Sequence, residues 1–168
     1  MDDMKDMDVV YRRYALPLKK FVMTLCKDEF LADDIVADTF YKAITHIDSW
    51  RGGNIFTWLC TIAKNQFLNH VKKKETQNAS LDEQEEVFEI PAAADSPLEQ
   101  LEKKEQKMVL FTQMQKLSAQ EREVMYLRAF ADLSFKEIGE VLKKTENWAR
   151  VTYFRCKDKI RRQAESEA

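Results

Sequence analysis

Apolar residues recur at helical spacing along most of the chain, and alternation with a period of two is absent. Residues 31–47 form an amphipathic pattern whose polar side carries Asp33, Asp34 and Asp38. A second helical pattern begins near Phe56, with one apolar stripe and one basic, amide-rich stripe. These patterns predict an all-α fold in which residues 5–74 form a first small helical domain.

The second half of the chain marks its helices with repeated start signals. Ser96, Ser118 and Ser134 are each followed three residues later by Glu, which is the capping-box pattern. The signals predict helices over 97–116, 119–131 and 135–142, and Thr145 is placed to cap a further helix from 146. We therefore expect a second helical domain over 96–163. Its predicted core residues are Leu101, Met108, Phe111, Leu117, Val124, Leu127, Phe130, Ile138 and Val151.

The segment between the two predicted domains is strongly acidic. Residues 75–95 carry seven acidic side chains and no basic one, and they lack sustained periodicity. A stretch of this composition cannot easily bury a core of its own. It is therefore predicted to be a flexible interdomain linker.

Residues 134–162 predict a helix-turn-helix motif. A short apolar-faced helix is followed by a break at 143–145 and then by a helix with six basic and two acidic residues, a local charge of +4. The whole chain carries −2, so this basic surface is local. A helix-turn-helix places its second helix in the DNA major groove, where arginines contact phosphates and guanine edges. The alternative is a solvated helix of an all-α interaction domain.

The helix from Phe56 suggests contact with single-stranded nucleic acid. Bases stack on aromatic rings while lysines follow the phosphates, and this helix carries both residue types. Core packing is the favoured role for Trp58 and Phe67, and a polar role is favoured for Asn65, Lys72 and Lys73.

Composition argues against several other classes of protein. The three cysteines are widely spaced, the two histidines are too few for most metal or acid–base chemistry, and no glycine-rich phosphate loop is present. No apolar run approaches the roughly 20 residues that span a bilayer, and the acidic N-terminus is unlike a signal peptide. We expect a cytoplasmic protein with no catalytic residues, no metal, no cofactor and no membrane insertion of its own.

Three ordered segments resemble the extracytoplasmic-function (group 4) sigma factors, a class of bacterial RNA polymerase subunits. ADDIVADTFYKAI (32–44) resembles sigma region 2.2, and WRGGNIFTWLCTIAKNQFLNHVKKK (50–74) resembles regions 2.3 and 2.4. Residues 117–162, which include the helix-turn-helix, resemble region 4. The resemblance implies a promoter-specificity subunit that directs transcription initiation.

The resemblance also implies roles for particular residues. Contact with the clamp of the largest polymerase subunit would fall on Asp34, Ala37, Asp38 and Phe40. Capture of the melted −10 strand would fall on Trp50, Arg51, Asn54, Lys64, Asn65, Asn69, Lys72 and Lys73. Reading of the −35 duplex would fall on Arg150, Thr152, Phe154 and Arg155, with Lys157 and Lys159 on phosphate. Implied partners are core RNA polymerase (its clamp, and its flap for region 4), promoter DNA and an anti-sigma factor.

Departures from the family pattern lie in the helix-turn-helix. Lys143 stands where the family commonly has Gly, and Asn147 and Trp148 replace smaller residues. Trp148 has two open placements, packed inward or protruding beside DNA. The competing function is a stand-alone helix-turn-helix transcriptional regulator that binds duplex DNA without polymerase.

Overall fold

The computed structural model describes residues 6–77, 105, 108–109 and 112–166, and every regular element among them is helical. Lobe 1 (6–77) contains α1 (Met7–Cys26), α2 (Glu29–Thr45) and α3 (Ile55–Gln77), with a 3-10 turn at Ile47–Ser49. Lobe 2 (112–166) contains α4 (Ala119–Ala129), α5 (Phe135–Leu142) and α6 (Glu146–Ser166). The all-α prediction is confirmed. No helix in the described part of the chain is long and apolar enough to cross a bilayer.

The helices of lobe 2 start where the capping residues predicted. Ser118 and Glu121 exchange side-chain and backbone hydrogen bonds at the start of α4, and Ser134 and Glu137 do the same for α5. The Thr145 hydroxyl accepts a hydrogen bond from the Trp148 amide at 3.0 Å and caps α6. The Ser96 box lies outside the described residues.

The turn of the helix-turn-helix is tight. Lys143 has φ 57°, the left-handed conformation that glycine adopts most easily, so the family's usual glycine has a physical reason here. The Lys144 amide donates to the Gly139 carbonyl at 2.8 Å. A Cβ on Gly139 would lie 2.6 Å from the Lys144 carbonyl oxygen, so α5 and the turn meet at a point where only glycine fits.

Two of the core predictions for the second domain are wrong. Met108 is 50% exposed and Val151 is 38% exposed. The inward positions of α6 are instead Ala149 and Cys156, which are seven residues apart and fully buried. Leu117, Val124, Leu127 and Ile138 are buried as predicted, and Phe130 is partly buried. Leu101 and Phe111 lie outside the described residues.

The junction after lobe 1 differs from the prediction by three residues. The linker was predicted to begin at 75, but α3 continues to Gln77. No glycine or proline interrupts this stretch, and the Thr76 hydroxyl bonds back to the carbonyls of Lys72 and Lys73. The remainder of the predicted linker, 78–95, lies outside the described residues, and the domain boundaries remain a prediction.

Candidate nucleic-acid interface

Helix α6 presents a basic outer surface, which we call the α6 basic face. Its buried positions, Ala149 and Cys156, hold the helix against lobe 2, whereas Arg150, Phe154 and Arg155 are exposed on its outer side. Phe154 is 54% exposed, and Thr152 is partly buried. The residues predicted to contact the −35 duplex all lie on this helix: Arg150, Thr152, Phe154, Arg155, Lys157 and Lys159.

A ring on α5 holds part of this face in place. The guanidinium carbons of Arg128 and Arg150 lie 4.3 and 5.5 Å from the centroid of the Phe135 ring. The Phe154 ring lies 6.1 Å from Phe135, centroid to centroid. Arg150 also pairs with Glu146 at 3.3 Å. Phe135 was not singled out by the sequence because its contacts come from two other helices.

Lys159 is tied to the body of lobe 2. Its Nζ lies 2.8 Å from Glu121 Oε2, and this contact raises the pKa of Lys159. Burial would raise the pKa of Glu121, but hydrogen bonds from Lys159 and Ser118 outweigh it and lower that pKa. The nearby Cys156 thiol is buried and close to Glu121, which raises the pKa of Cys156 to about 12. Cys156 is therefore not an exposed thiol of the α6 basic face.

The Trp148 side chain, for which the sequence left an inward and a protruding placement open, combines features of both. Its ring is partly buried against the lobe 2 core, and the Lys144 ammonium lies 5.5 Å from the ring centroid. Trp148 therefore packs inward on one side and is covered by a basic side chain on the other.

In lobe 1, the loop before α3 carries three of the residues predicted for the −10 strand. Gly52 and Gly53 have φ 90° and 85°, so the chain reverses where side chains are disfavoured. Asn54 accepts a hydrogen bond from the Phe56 amide at 3.0 Å and thereby caps α3. Trp50 packs partly against the core, whereas Arg51 is exposed.

The other five residues predicted for the −10 strand, Lys64, Asn65, Asn69, Lys72 and Lys73, lie on α3 and form what we call the α3 polar face. Asn69, Lys72 and Lys73 are exposed and Asn65 is partly buried. Lys64 is different, because its Nζ lies 2.8 Å from Glu123 Oε1 of lobe 2. The α3 polar face is therefore joined to lobe 2 through the ion pair between Lys64 and Glu123.

The acidic side of α2 borders the same region. Asp34, Ala37 and Asp38 are exposed, as expected of a docking surface. They line a groove of about 290 Å³ whose opposite wall on α3 includes Asn69 and Lys73.

Phe40 does not belong to that surface. It is 5% exposed and its ring packs edge-on against Tyr11 at 5.0 Å. Val36, Phe40 and Ala43 share the buried side of α2, so direct contact between Phe40 and a partner is excluded in this conformation. The prediction for Phe40 is corrected accordingly.

The contacts between the lobes were not foreseen. Tyr126 and Glu123 on α4 and Glu137 on α5 reach lobe 1, where Glu137 accepts a hydrogen bond from the Thr57 hydroxyl at 2.5 Å. The sequence did contain one signal, because residues 124–127 are four consecutive apolar residues and a helix that is apolar on all sides requires a second packing surface. The structure buries all four of them together with Glu123.

Comparison with known proteins places both lobes in one family. The family model for Sigma-70 region 2 matches residues 10–77, and that for Sigma-70, region 4 matches residues 113–162. The ECF RNA polymerase sigma factor SigM of Bacillus subtilis is 30% identical over 155 residues, which is 92% of each chain. RNA polymerase sigma factor YlaC of the same organism is 30% identical over 79% of this chain and 77% of its own.

A solved structure has the same fold. The sigma factor RpoE from Bartonella quintana, in a co-crystal with the anti-sigma factor NepR, superposes with a TM-score of 0.74 at 22% identity. The match covers 98% of this chain and 99% of RpoE.

Proposed function

We propose that three surfaces of this chain, which belongs to the extracytoplasmic-function group of the sigma-70 family, have separate roles in transcription initiation. The chain is a sigma subunit that directs this process. The α6 basic face reads the −35 duplex. The loop before α3 and the α3 polar face hold the melted −10 strand. Asp34, Ala37 and Asp38 on α2 dock on the polymerase clamp. The observation that carries the proposal is an exposed row of basic and aromatic side chains on the second helix of a helix-turn-helix.

The chemistry of each surface suits its target. Arg150 and Arg155 can donate to base edges and phosphates in the major groove. A flipped −10 base needs a pocket wall, a stacking partner and an amide, and the loop with Trp50 together with Asn65 of α3 offers these groups. The acidic α2 surface would complement a basic coiled coil in the polymerase clamp. On this proposal the chain is a non-catalytic subunit that acts in the cytoplasm, where polymerase and DNA are found.

Partners beyond DNA and polymerase follow from the relatives. The Bartonella sigma factor was solved with an anti-sigma factor bound. We accordingly include an anti-sigma factor among the proposed partners, together with the polymerase flap for lobe 2. A stand-alone regulator is not favoured, because the relatives spanning most of the chain are polymerase sigma factors.

The first test is co-purification with sigma-free core polymerase. The parent chain should bind stoichiometrically, and Asp34→Lys with Asp38→Lys should abolish binding because the charge complementarity is reversed. The control is Glu140→Lys with Glu165→Lys, an equal change in charge at exposed positions of lobe 2. Equal binding of both double variants would remove the α2 surface from the proposal.

A second test addresses the −35 duplex. Arg155→Ala should weaken −35-dependent initiation by about 1–3 kcal/mol and reduce discrimination between −35 sequences. Lys157→Ala should instead weaken all sequences evenly, because a phosphate contact carries no sequence information. Unchanged discrimination in Arg155→Ala would remove that residue from the reading surface.

A further inference from the structure

The two lobes meet along a seam with an apolar and a polar part. In the apolar part, Tyr126 of α4 is 7% exposed and stacks on Phe21 of α1, with ring centroids 6.3 Å apart. The Tyr126 hydroxyl donates to the Pro17 carbonyl at 3.0 Å. Helix α5 also packs against α3. The seam is therefore a built interface within the described chain.

The polar part of the seam consists of two carboxylates of lobe 2 placed on α3. Glu123 pairs with Lys64 at 2.8 Å, and the two side chains are only 4% and 15% exposed. Glu137 accepts a hydrogen bond from the Thr57 hydroxyl. The same Glu137 carboxylate closes the capping box of α5 through the Ser134 amide. Both contacts are thus made by well-positioned groups rather than by flexible surface side chains.

Lys64 is the point at which this seam meets the α3 polar face. A lysine that follows a nucleic-acid strand does so by placing its ammonium on a phosphate. Here that ammonium is withdrawn from solvent and placed on a carboxylate. A Glu123 carboxylate and a phosphate oxygen offer the same charge-assisted acceptor, and the seam buries the Lys64 ammonium beside Glu123, so a phosphate must displace lobe 2 to reach it.

The seam also has the features of a contact that can separate. Among the described residues, Glu123 Oε2 has no hydrogen-bond partner although it is buried. Burial raises the pKa of Glu123 in spite of Lys64, so desolvation of this carboxylate outweighs its attraction to the lysine. A buried ion pair of this kind adds little net stability to a contact, because the cost of desolvation offsets the attraction of the charges.

We propose that this packing is a closed state of the free chain, in which Glu123 and Glu137 of lobe 2 occupy the first half of α3 and compete with the −10 strand for Lys64. The inference rests on the proposed role of the α3 polar face. In the closed state the α6 basic face stays exposed, so lobe 2 covers part of the −10 surface without covering its own −35 surface. Separation of the lobes releases Lys64 for the strand.

The test uses the full-length chain without polymerase and a fluorescent single-stranded DNA of mixed sequence. Glu123→Lys places two ammonium groups together in the seam and should open it. The control, Glu140→Lys, makes the same charge change at an exposed position of lobe 2. If roughly nine-tenths of the chain is closed, Glu123→Lys should bind the strand about tenfold more tightly than the control.

Small-angle scattering on the same samples measures opening directly. The radius of gyration should increase in Glu123→Lys and remain at the parent value in Glu140→Lys, with helical content by circular dichroism unchanged in both. Thr57→Glu, which opposes Glu137 from the lobe 1 side, should open the chain too and covers the case in which Glu123→Lys fails to fold. Parent dimensions in the folded variants, or equal strand binding by Glu123→Lys and its control, would overturn the closed state.

Promoter-dependent transcription with core polymerase separates this inference from the function on which it rests. Initiation by parent and Glu123→Lys, with no gain in strand binding by the free variant, overturns only the closed state. Failure of both proteins to initiate would overturn the proposed function itself.

Discussion

The proposed −35 surface and the proposed −10 surface are in different states in this structure. On α6, the Arg150 side chain is 46% exposed and forms an ion pair with Glu146 of its own helix. On α3, the Lys64 side chain is 15% exposed and pairs with a carboxylate from the other lobe. The proposed −35 surface is therefore exposed, while the proposed −10 surface is partly covered by lobe 2.

This difference suggests an order of events. The acidic α2 residues Asp34 and Asp38 are exposed, as are the basic residues of α6, so the proposed polymerase and −35 surfaces are accessible while the lobes are packed together. Full access to Lys64 requires a change in the packing of the lobes. On the proposed assignment, binding to polymerase and to the −35 duplex can therefore precede capture of the −10 strand.

The largest expected effect comes from breaking the −35 surface at its base. Gly139→Ala places a Cβ 2.6 Å from the Lys144 carbonyl oxygen, so α5 and the turn must move apart. Overpacking of this kind costs about 1–3 kcal/mol of unfolding free energy. Chemical denaturation should show this loss in lobe 2, accompanied by weaker −35 discrimination. Glu140→Ala, at an exposed neighbouring position, is the control and should change stability by less than about 0.5 kcal/mol.

The converse change at the turn is expected to stabilise lobe 2. Lys143 adopts φ 57°, which costs a residue with a side chain roughly 1–2 kcal/mol relative to glycine. Lys143→Gly should raise the unfolding free energy of lobe 2 by about 1 kcal/mol, because part of that gain is lost to the greater freedom of unfolded glycine. Denaturation midpoints measure the effect. A decrease would mean that the Lys143 side chain contributes more than its backbone strain costs.

The helix starts of lobe 2 show what sequence alone could predict. The Ser118 and Ser134 boxes and the Thr145 cap are local signals, because the bonds they make lie within four residues, and they gave the helix starts correctly. The unusual residue at 143 was found by comparison with the family pattern. Helical periodicity and local capping signals therefore predicted the all-α fold and the helix-turn-helix.

Contacts between distant residues account for what sequence did not predict. Lys64 and Glu123 are 59 residues apart along the chain, and nothing near either residue indicates the other. Phe40 carries the same lesson, since the family pattern placed it on a docking surface while the packing of α2 against Tyr11 buries it. The seam, and the state of the −10 surface that depends on it, required the three-dimensional arrangement.

A smaller effect should follow from loosening the −35 surface without unfolding it. Phe135→Leu keeps an apolar side chain but removes the ring that faces Arg128 and Arg150. Loss of such contacts at partly exposed sites is worth about 0.5–1 kcal/mol, and we expect a loss of this size in −35 binding. Competition binding with cognate and altered −35 duplexes measures it. Phe135→Trp should restore discrimination, and failure to do so would assign Phe135 to packing alone.

The smallest expected effect is a pH dependence of the seam, in which its two carboxylates respond oppositely. Burial raises the pKa of Glu123, opposed by Lys64 of α3 and Arg122 of α4. A raised pKa means that the closed state binds the proton more tightly, so closure should strengthen as pH falls through that pKa.

For Glu137, burial would also raise the pKa, but hydrogen bonds from Thr57, Ser134 and Asn54 outweigh it and lower the pKa. Its contribution to closure is present above the ordinary carboxyl pKa and is lost as pH falls through the lowered one.

Closure should therefore be strongest in a mildly acidic window, below the raised pKa of Glu123 and above the lowered pKa of Glu137. The radius of gyration of the free chain, followed from neutral to acidic pH, should pass through a minimum in that window. Glu123→Gln removes the proton-binding group and should leave only the acid-side expansion, which circular dichroism can separate from loss of the α5 cap. A minimum that persists unchanged in Glu123→Gln would show that another group controls the seam, and the contrast between the open and the occupied surface would need a different cause.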